Sequence, residues 1–179
     1  MAKVAGDEHD GCSGLDLDAI HRSAMAALCS GVAVVTTAGR CGEPCGLTVT
    51  SLSSFSADPP SVVVCVGHGT RSHAGMMVSD HFGVHLLTKE QKYLAETFAD
   101  HSADKFAWVS WGWDREVPRI DGVLAFLRCR RTAVFDRYDH ALVIGDVLDG
   151  TVASGPPLVY AKRAMGDLRA LSDHVAAGC

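Results

Sequence analysis

The chain has 179 residues, of which 47% are apolar and 21% charged, with a formal net charge of −5. That describes one domain of ordinary size with enough apolar residues for a full core, and it argues against wholesale disorder. No basic block occurs, which argues against a nucleic-acid partner, because phosphate backbones demand clustered Lys and Arg. No secretory leader pattern opens the chain, and no apolar run is long enough to span a bilayer. Cys12, Cys29, Cys41, Cys45, Cys65, Cys129 and Cys179 are scattered and odd in number. The expectation is a reduced, cytoplasmic protein without a membrane span. Cys41 and Cys45 form the one close pair and with His68 or His73 could make a metal site. Two small thiols on a hairpin is the plainer reading, so no metal is expected.

Residues 1–14 are small and polar and read as a disordered N-terminus, leaving 15–179 as the domain. Asp16 or Asp18 can cap a helix running to about Cys29, with Leu17, Ile20, Ala24 and Leu28 as its apolar face. Val32 to Thr37 is a β-branched strand, and the turn at 38–44 carries two glycines and a proline. Leu47 to Phe55 reads as a second strand making a hairpin with the first, and Ser61 to Val66 as a third beyond Asp58-Pro59-Pro60. Thr70 to Ser79 is a short helix, Phe82 to Leu87 a strand, and Lys89 to Phe98 a helix. Residues 99–116 are expected to be a long excursion carrying Lys105, Trp108, Trp111 and Trp113. Two long strands, Val123 to Phe135 and Ala141 to Val152, follow, then a short strand at Pro157–Tyr160 and a C-terminal helix from about Ala164 to Ala176. Regular βαβ alternation is missing. The pattern predicts a mainly β fold, an antiparallel barrel with peripheral helices.

The chemistry concentrates around two segments. Thr48-Val49-Thr50-Ser51-Leu52-Ser53-Ser54 begins as a strand and then turns polar on both alternating faces, so part of it must satisfy its hydrogen bonds outside a ladder. Backbone N–H groups there can face the acceptor edge of a flat ring such as a flavin. A Ser/Thr-rich edge strand would show the same composition. Gly67-His68-Gly69-Thr70-Arg71-Ser72 follows a strand and opens a helix. It lacks the third glycine and the distant acidic residue of a dinucleotide fingerprint, which rules that fold out. What remains is a candidate anion site at a helix start, with Arg71 beside free N–H groups, or an ordinary capped loop. His140, at a hairpin mouth, can orient a pyridine nucleotide or relay a proton, or simply sit in a turn. The tryptophans can stack on a base or fill a satellite core or subunit interface.

The ordered set of motifs resembles the short-chain flavin reductases, the reductase components of two-component flavin-dependent monooxygenases. The matching runs are Ser30–Thr37, Gly42–Ser51, Asp58-Pro59-Pro60, Cys65-Val66, Arg71-Ser72, Phe82–Leu87, Ser102–Ala107, Asp121–Leu124, Asp139-His140, Ile144–Val147 and Pro157–Tyr160. The resemblance implies a split β-barrel that binds FMN or FAD, forms a homodimer, oxidises NADH or NADPH and hands reduced flavin to a partner oxygenase. By position it implies that Thr48, Val49, Thr50, Ser51 and Leu52 contact the flavin ring, with Thr36 and Thr37 nearby. It places Cys65, Val66, Arg71 and Ser72 along the ribityl and phosphate, with Lys105 counted among the binding residues, and Phe82 and Val84 flanking the flavin. His140 falls at the nicotinamide position. The family usually has Asn where His85 stands, an acidic residue or Asn where Gly67 stands, and an aromatic near Ala164-Met165. The alternatives are a non-catalytic flavin- or haem-binding split barrel, or a flavoenzyme that keeps FMN and acts on its own organic substrate.

Overall fold

The computed structural model describes residues 16–100 and 104–167. The expected N-terminal tail at 1–14 and most of the expected C-terminal helix lie outside them. Helix α1 (Leu17–Ala27) starts where predicted, because the Asp16 carboxylate accepts the Ala19 N–H at 3.0 Å. Among the described residues its apolar stripe stays exposed: Leu17 is 69% exposed, Ile20 51% and Leu28 54%.

Strand β1 (Ser30–Gly31) leads into β2 (Ala33–Ala38), which makes the expected hairpin with β3 (Pro44–Val49). The predicted strand Leu47–Phe55 is in fact two strands. The ladder stops at Val49, the chain turns out of the sheet over Thr50–Leu52, and β4 (Ser53–Ala57) pairs instead with β5 (Pro60–Gly67). The polarity on both faces at Ser51–Ser54 marks this break, because those positions no longer alternate against one core.

Helix α2 (Arg71–Val78) and strand β6 (His81–Leu86) follow, then a helical turn at Lys89–Gln91 that continues into α3 (Lys92–Ala99). Gln91 accepts the Thr88 N–H at 3.0 Å, anchoring that start. The expected loop over 99–116 contains a strand, β7 (Trp111–Asp114), paired with β8 (Val117–Ile120). Trp111 and Trp113 on one face of that hairpin favour strand geometry once they pack on each other.

Strands β9 (Ala125–Arg137) and β10 (His140–Val152) form the long hairpin. Strand β11 (Val159–Ala161) pairs with β1 and with β12 (Ala164–Gly166). The described part of the expected C-terminal helix is therefore strand. Lys162 and Arg163 both take positive φ, which makes a tight two-residue hairpin, and pairing across it overrides the helix propensity of Ala164 and Met165.

The main sheet has the order β3-β2-β6-β9-β10-β5-β4 and is antiparallel throughout. The architecture is mainly β, as expected. Strands β3 and β5, far apart in that order, come into contact, so the sheet rolls until its ends meet beside Ser51. Strand β2 is buried on both faces. Ala33 and Val35 join Val64, Phe82, Val84, Cys129 and Val143 inside the roll, whereas Val34 joins Leu94, Phe98, Phe106, Ile120 and Leu158 beneath α3. Two cores back to back explain the uninterrupted apolar run at Val32–Val35. Phe82 lies over Gly145, where any Cβ would collide with its ring.

Candidate functional site

A cavity of about 770 Å³ opens between the start of α2, the first residues of β3 and the segment at 104–107. Arg71, Ser72, Lys105, Cys45 and Trp111 line it. Arg71 is the first residue of α2. The Thr70 hydroxyl at the cap donates back to the Gly67 carbonyl at 2.9 Å, so no side chain caps the helix. The first N–H groups of α2 and the positive end of its dipole are left beside the Arg71 guanidinium. Lys105 donates to the carbonyls of Phe98, at 2.8 Å, and Gly46, at 3.1 Å. These bonds tie the end of α3 to β3. Burial, and then the neighbouring Arg71, pull the Lys105 pKa down. Burial, and then Glu43, push the Cys45 thiol up, against the opposing pull of Arg71 and Lys105. The wall carries Arg71 and Lys105 as well as the carboxylates of Glu43 and Asp104, and its part at the uncapped helix start, beside Arg71, suits a phosphate.

The second element is the strand exit. Thr50, Ser51 and Leu52 belong to no strand, and among the described residues no backbone hydrogen bond outside the ladders claims their N–H groups. Ser51 pins this exit to β5. Its hydroxyl donates to the Cys65 carbonyl at 3.0 Å and accepts the Cys65 N–H at 3.2 Å. An ordered run of unclaimed N–H groups fits the acceptor edge of a flat ring, as in a flavin.

The third element is the β9–β10 turn. His140 pairs in register with Gly67, two residues beyond Cys65 on β5, a separation of about 7 Å. The His140 ring is half exposed, and Nδ1 meets the Asp139 carboxylate at 2.8 Å. That contact places the imidazole proton on Nδ1, with Nε2 on the side of Gly67. The hydrogen bond from His140 holds the Asp139 carboxyl below its usual range.

The structure thus brings Arg71, Ser72 and Lys105 together at the cavity, and Thr50, Ser51, Leu52 and Cys65 together at the exit. Thr48 faces α3 instead, donating to the Ala95 carbonyl at 2.7 Å, and Val49 and Val66 are core residues. Four other candidates are sealed inside. Thr36 donates to the Pro118 carbonyl, Thr37 donates to the His81 carbonyl at 3.0 Å, and Phe82 and Val84 are fully buried. They can support the site only from behind. His85, also wholly buried, receives the Ile120 N–H on Nε2 at 3.1 Å, and its Nδ1 lies 3.1 Å from the Val34 carbonyl. This pairing needs one donor and one acceptor, so the ring is neutral, and burial pulls its pKa down to about 4.

Sequence reasoning missed the β3 side of the cavity, where Glu43 and Cys45 contribute, and the specific part of Trp111. Trp111 stacks edge-on against Phe106 with ring centres 5.0 Å apart, whereas Trp108 is 92% exposed. The Lys105-Phe106 pair was the available signal, since Phe106 is what draws Trp111 in.

Comparison with known proteins gives a consistent picture. The FMN reductase (NADH) SmoA of Agrobacterium fabrum is 36% identical over 146 residues, covering 81% of this chain and 83% of that protein. The reductase component of 4-nitrophenol 4-monooxygenase/4-nitrocatechol 2-monooxygenase from Rhodococcus opacus is 33% identical over 145 residues, covering 81% of this chain and 78% of that protein. Among solved structures, a flavin reductase domain protein from Arthrobacter sp. FB24 superimposes with a TM-score of 0.81 at 27% identity, over 85% of this chain and 96% of that one. The family described as "Flavin reductase like domain" matches residues 25–169, and with that span of the rolled sheet and both halves of its site included, the chain belongs to this family.

Proposed function

We propose that this chain is an NAD(P)H:flavin oxidoreductase that reduces FMN or FAD by hydride transfer and supplies reduced flavin to a partner monooxygenase. The observation that carries the reading is the adjacency of an uncapped helix start with Arg71 and Lys105 to an exit loop with unclaimed N–H groups. From Gly46 at the cavity to Thr50 at the exit is four residues of extended chain, about 13 Å, which suits a phosphate-bearing ring compound lying along β3. The names of the relatives point the same way, toward flavin reduction by NADH and service to an oxygenase.

The bound flavin supplies the hydride-accepting ring, so this chain needs no nucleophile. Arg71, Ser72 and Lys105 hold the phosphate. The N–H groups of Thr50, Ser51 and Leu52 face the ring's acceptors and favour the electron-rich, reduced form. Cys65 holds Ser51 in place, and Thr48 braces β3 against α3. His140, oriented by Asp139, positions the nicotinamide. Thr36, Thr37, Phe82 and Val84 form the rigid layer behind β3. We also read the protein as a cytoplasmic homodimer, in which a second copy covers the bare apolar stripe of α1. No described helix is long and apolar enough to cross a membrane.

The test is oxidation of NADH and NADPH by purified protein, with and without FMN, FAD or riboflavin. The expected result is fast oxidation that depends on added flavin. Flavin binding with no oxidation under any pairing would sink the reductase reading and leave a binding module.

A further inference from the structure

Beside the His140 turn lies a cluster that the proposed reaction does not use. His68 is in the loop between β5 and α2, His73 is in the first turn of α2, and Asp136 is near the end of β9. One ring nitrogen from each histidine and one carboxylate oxygen of Asp136 lie within 4.8 Å of one another. Among the described residues no other three His, Cys, Asp or Glu side chains gather in this way. The Cys41 and Cys45 thiols, which pair with a histidine in the simplest sequence-based metal site, do not take part.

Two further observations bear on what the cluster is for. His68 Nε2 is 3.1 Å from the Asp136 carboxylate, and the His68 and His73 rings are tilted against each other with centres 4.8 Å apart. His73 Nε2 is buried with no hydrogen-bond partner at all. An unpaired buried ring nitrogen carries a desolvation cost that native interiors avoid. A Lewis acid held by the three side chains would engage both imidazoles and the carboxylate at once.

We infer that His68, His73 and Asp136 form a binding site for a divalent first-row transition metal of the zinc class. Two imidazole nitrogens and one carboxylate oxygen are a borderline donor set suited to Zn2+ and its analogues, and water supplies the remaining position. Zinc–nitrogen and zinc–oxygen bonds of about 2.0–2.1 Å put tetrahedral ligand atoms about 3.4 Å apart. The His68–Asp136 separation already meets that spacing. No separation in the cluster exceeds that spacing by more than about 1.4 Å, within the reach of side-chain rotation. The three ligands come from a loop, a helix and a hairpin; the loop already meets the hairpin through the β5–β10 ladder and the His68 N–H, which donates to the Asp139 carbonyl at 2.9 Å. The metal therefore acts as a clip that fixes the start of α2, through His73, to the β9–β10 hairpin. This inference does not depend on the proposed reaction, since it is tested by binding alone.

The experiment titrates untagged, full-length protein, stripped with chelator and dialysed, with Co2+ and then with Zn2+. The expected result is one Co2+ per chain with a visible ligand-field band of a low-coordinate nitrogen and oxygen site, bleached when Zn2+ displaces it. His73→Gln and Asp136→Ala each weaken binding by tenfold or more, on the order of what even supporting residues of metal sites show. Asp136 is 65% exposed at its side chain, so Asp136→Ala leaves the fold intact even if His73→Gln does not. Cys45→Ser leaves binding unchanged. The inference is overturned by absence of the band, by binding that survives both variants, or by a thiolate-to-cobalt charge-transfer band, which would put the metal on a cysteine.

Discussion

Two sets of polar side chains share the same rolled sheet and meet opposite fates. Thr36, Thr37 and His85 are sealed inside it, each with its hydrogen-bonding atoms matched to backbone groups of a neighbouring segment. Arg71, Lys105 and His140 sit at its rim, where the helix start and strand exit leave N–H groups over. Residue type does not distinguish the two sets, since both contain groups that binding sites use. What distinguishes them is whether the protein itself has already spent their hydrogen bonds. A site in this fold is the place where the internal pairing of donors and acceptors is left incomplete.

The largest effect expected from this contrast concerns His85. The unfolded chain protonates this ring near pH 6.5, whereas the folded chain resists until about pH 4. Between those values the unfolded state binds more protons, so stability falls as the pH falls, by roughly 3 kcal/mol in all, and levels off below about pH 4. Urea unfolding at a series of pH values measures this, and His85→Asn, which keeps one donor and one acceptor, should flatten the slope. A slope unchanged in that variant would mean that His85 is not the group responsible.

Next in size is Thr36→Val, which strands the buried Pro118 carbonyl and should cost about 1–2 kcal/mol of stability. The KM for flavin should stay where it was. A rise in that KM without loss of stability would break the contrast, because it would place a sealed residue in contact with ligand.

Arg71→Ala tests the rim. It should raise the KM for FMN about tenfold, equivalent to about 1.4 kcal/mol, through loss of a charge-assisted contact to phosphate. The melting temperature should hardly move, since Arg71 is exposed. Riboflavin, which lacks the phosphate, should be nearly indifferent to the change, and equal losses for riboflavin and FMN would remove Arg71 from the phosphate end.

The smallest effect is expected at His140. Replacing it with Ala should raise the KM for reduced nicotinamide about threefold to tenfold, the worth of one hydrogen bond, and leave flavin binding alone. Parallel loss of both substrates would show that the turn only holds the fold.

Much of this was legible in the residues. The Asp16 cap, the β-branched runs of β2 and β5, the start of α2 and the long β9–β10 hairpin all announce themselves through local signals such as capping, periodicity and turn residues. The polar stretch at Ser51–Ser54 shows that a ladder must be abandoned there, and the Arg71-Ser72 step marks a helix start open to an anion. These are properties of short segments and follow from side chains a few positions apart.

Other features depended on partners distant in the chain. One predicted strand became β3 and β4, at opposite ends of the sheet, because rolling the sheet gives Ser51 the backbone of Cys65 to bind. A predicted loop became the β7–β8 hairpin because Trp111 found Phe106, and the start of a predicted helix became β12 because β11 was there to pair with it. The sealing of Thr36 by Pro118 and of His85 by Val34 and Ile120 likewise rests on contacts between 35 and 82 residues apart. Sequence alone determined the segments whose signals are local, such as β2, β5, α2 and the β9–β10 hairpin, and marked the polar groups that are candidates for binding. Only the tertiary structure decided which of those polar groups remain unspent, because that depends on acceptors and donors brought alongside from elsewhere in the chain.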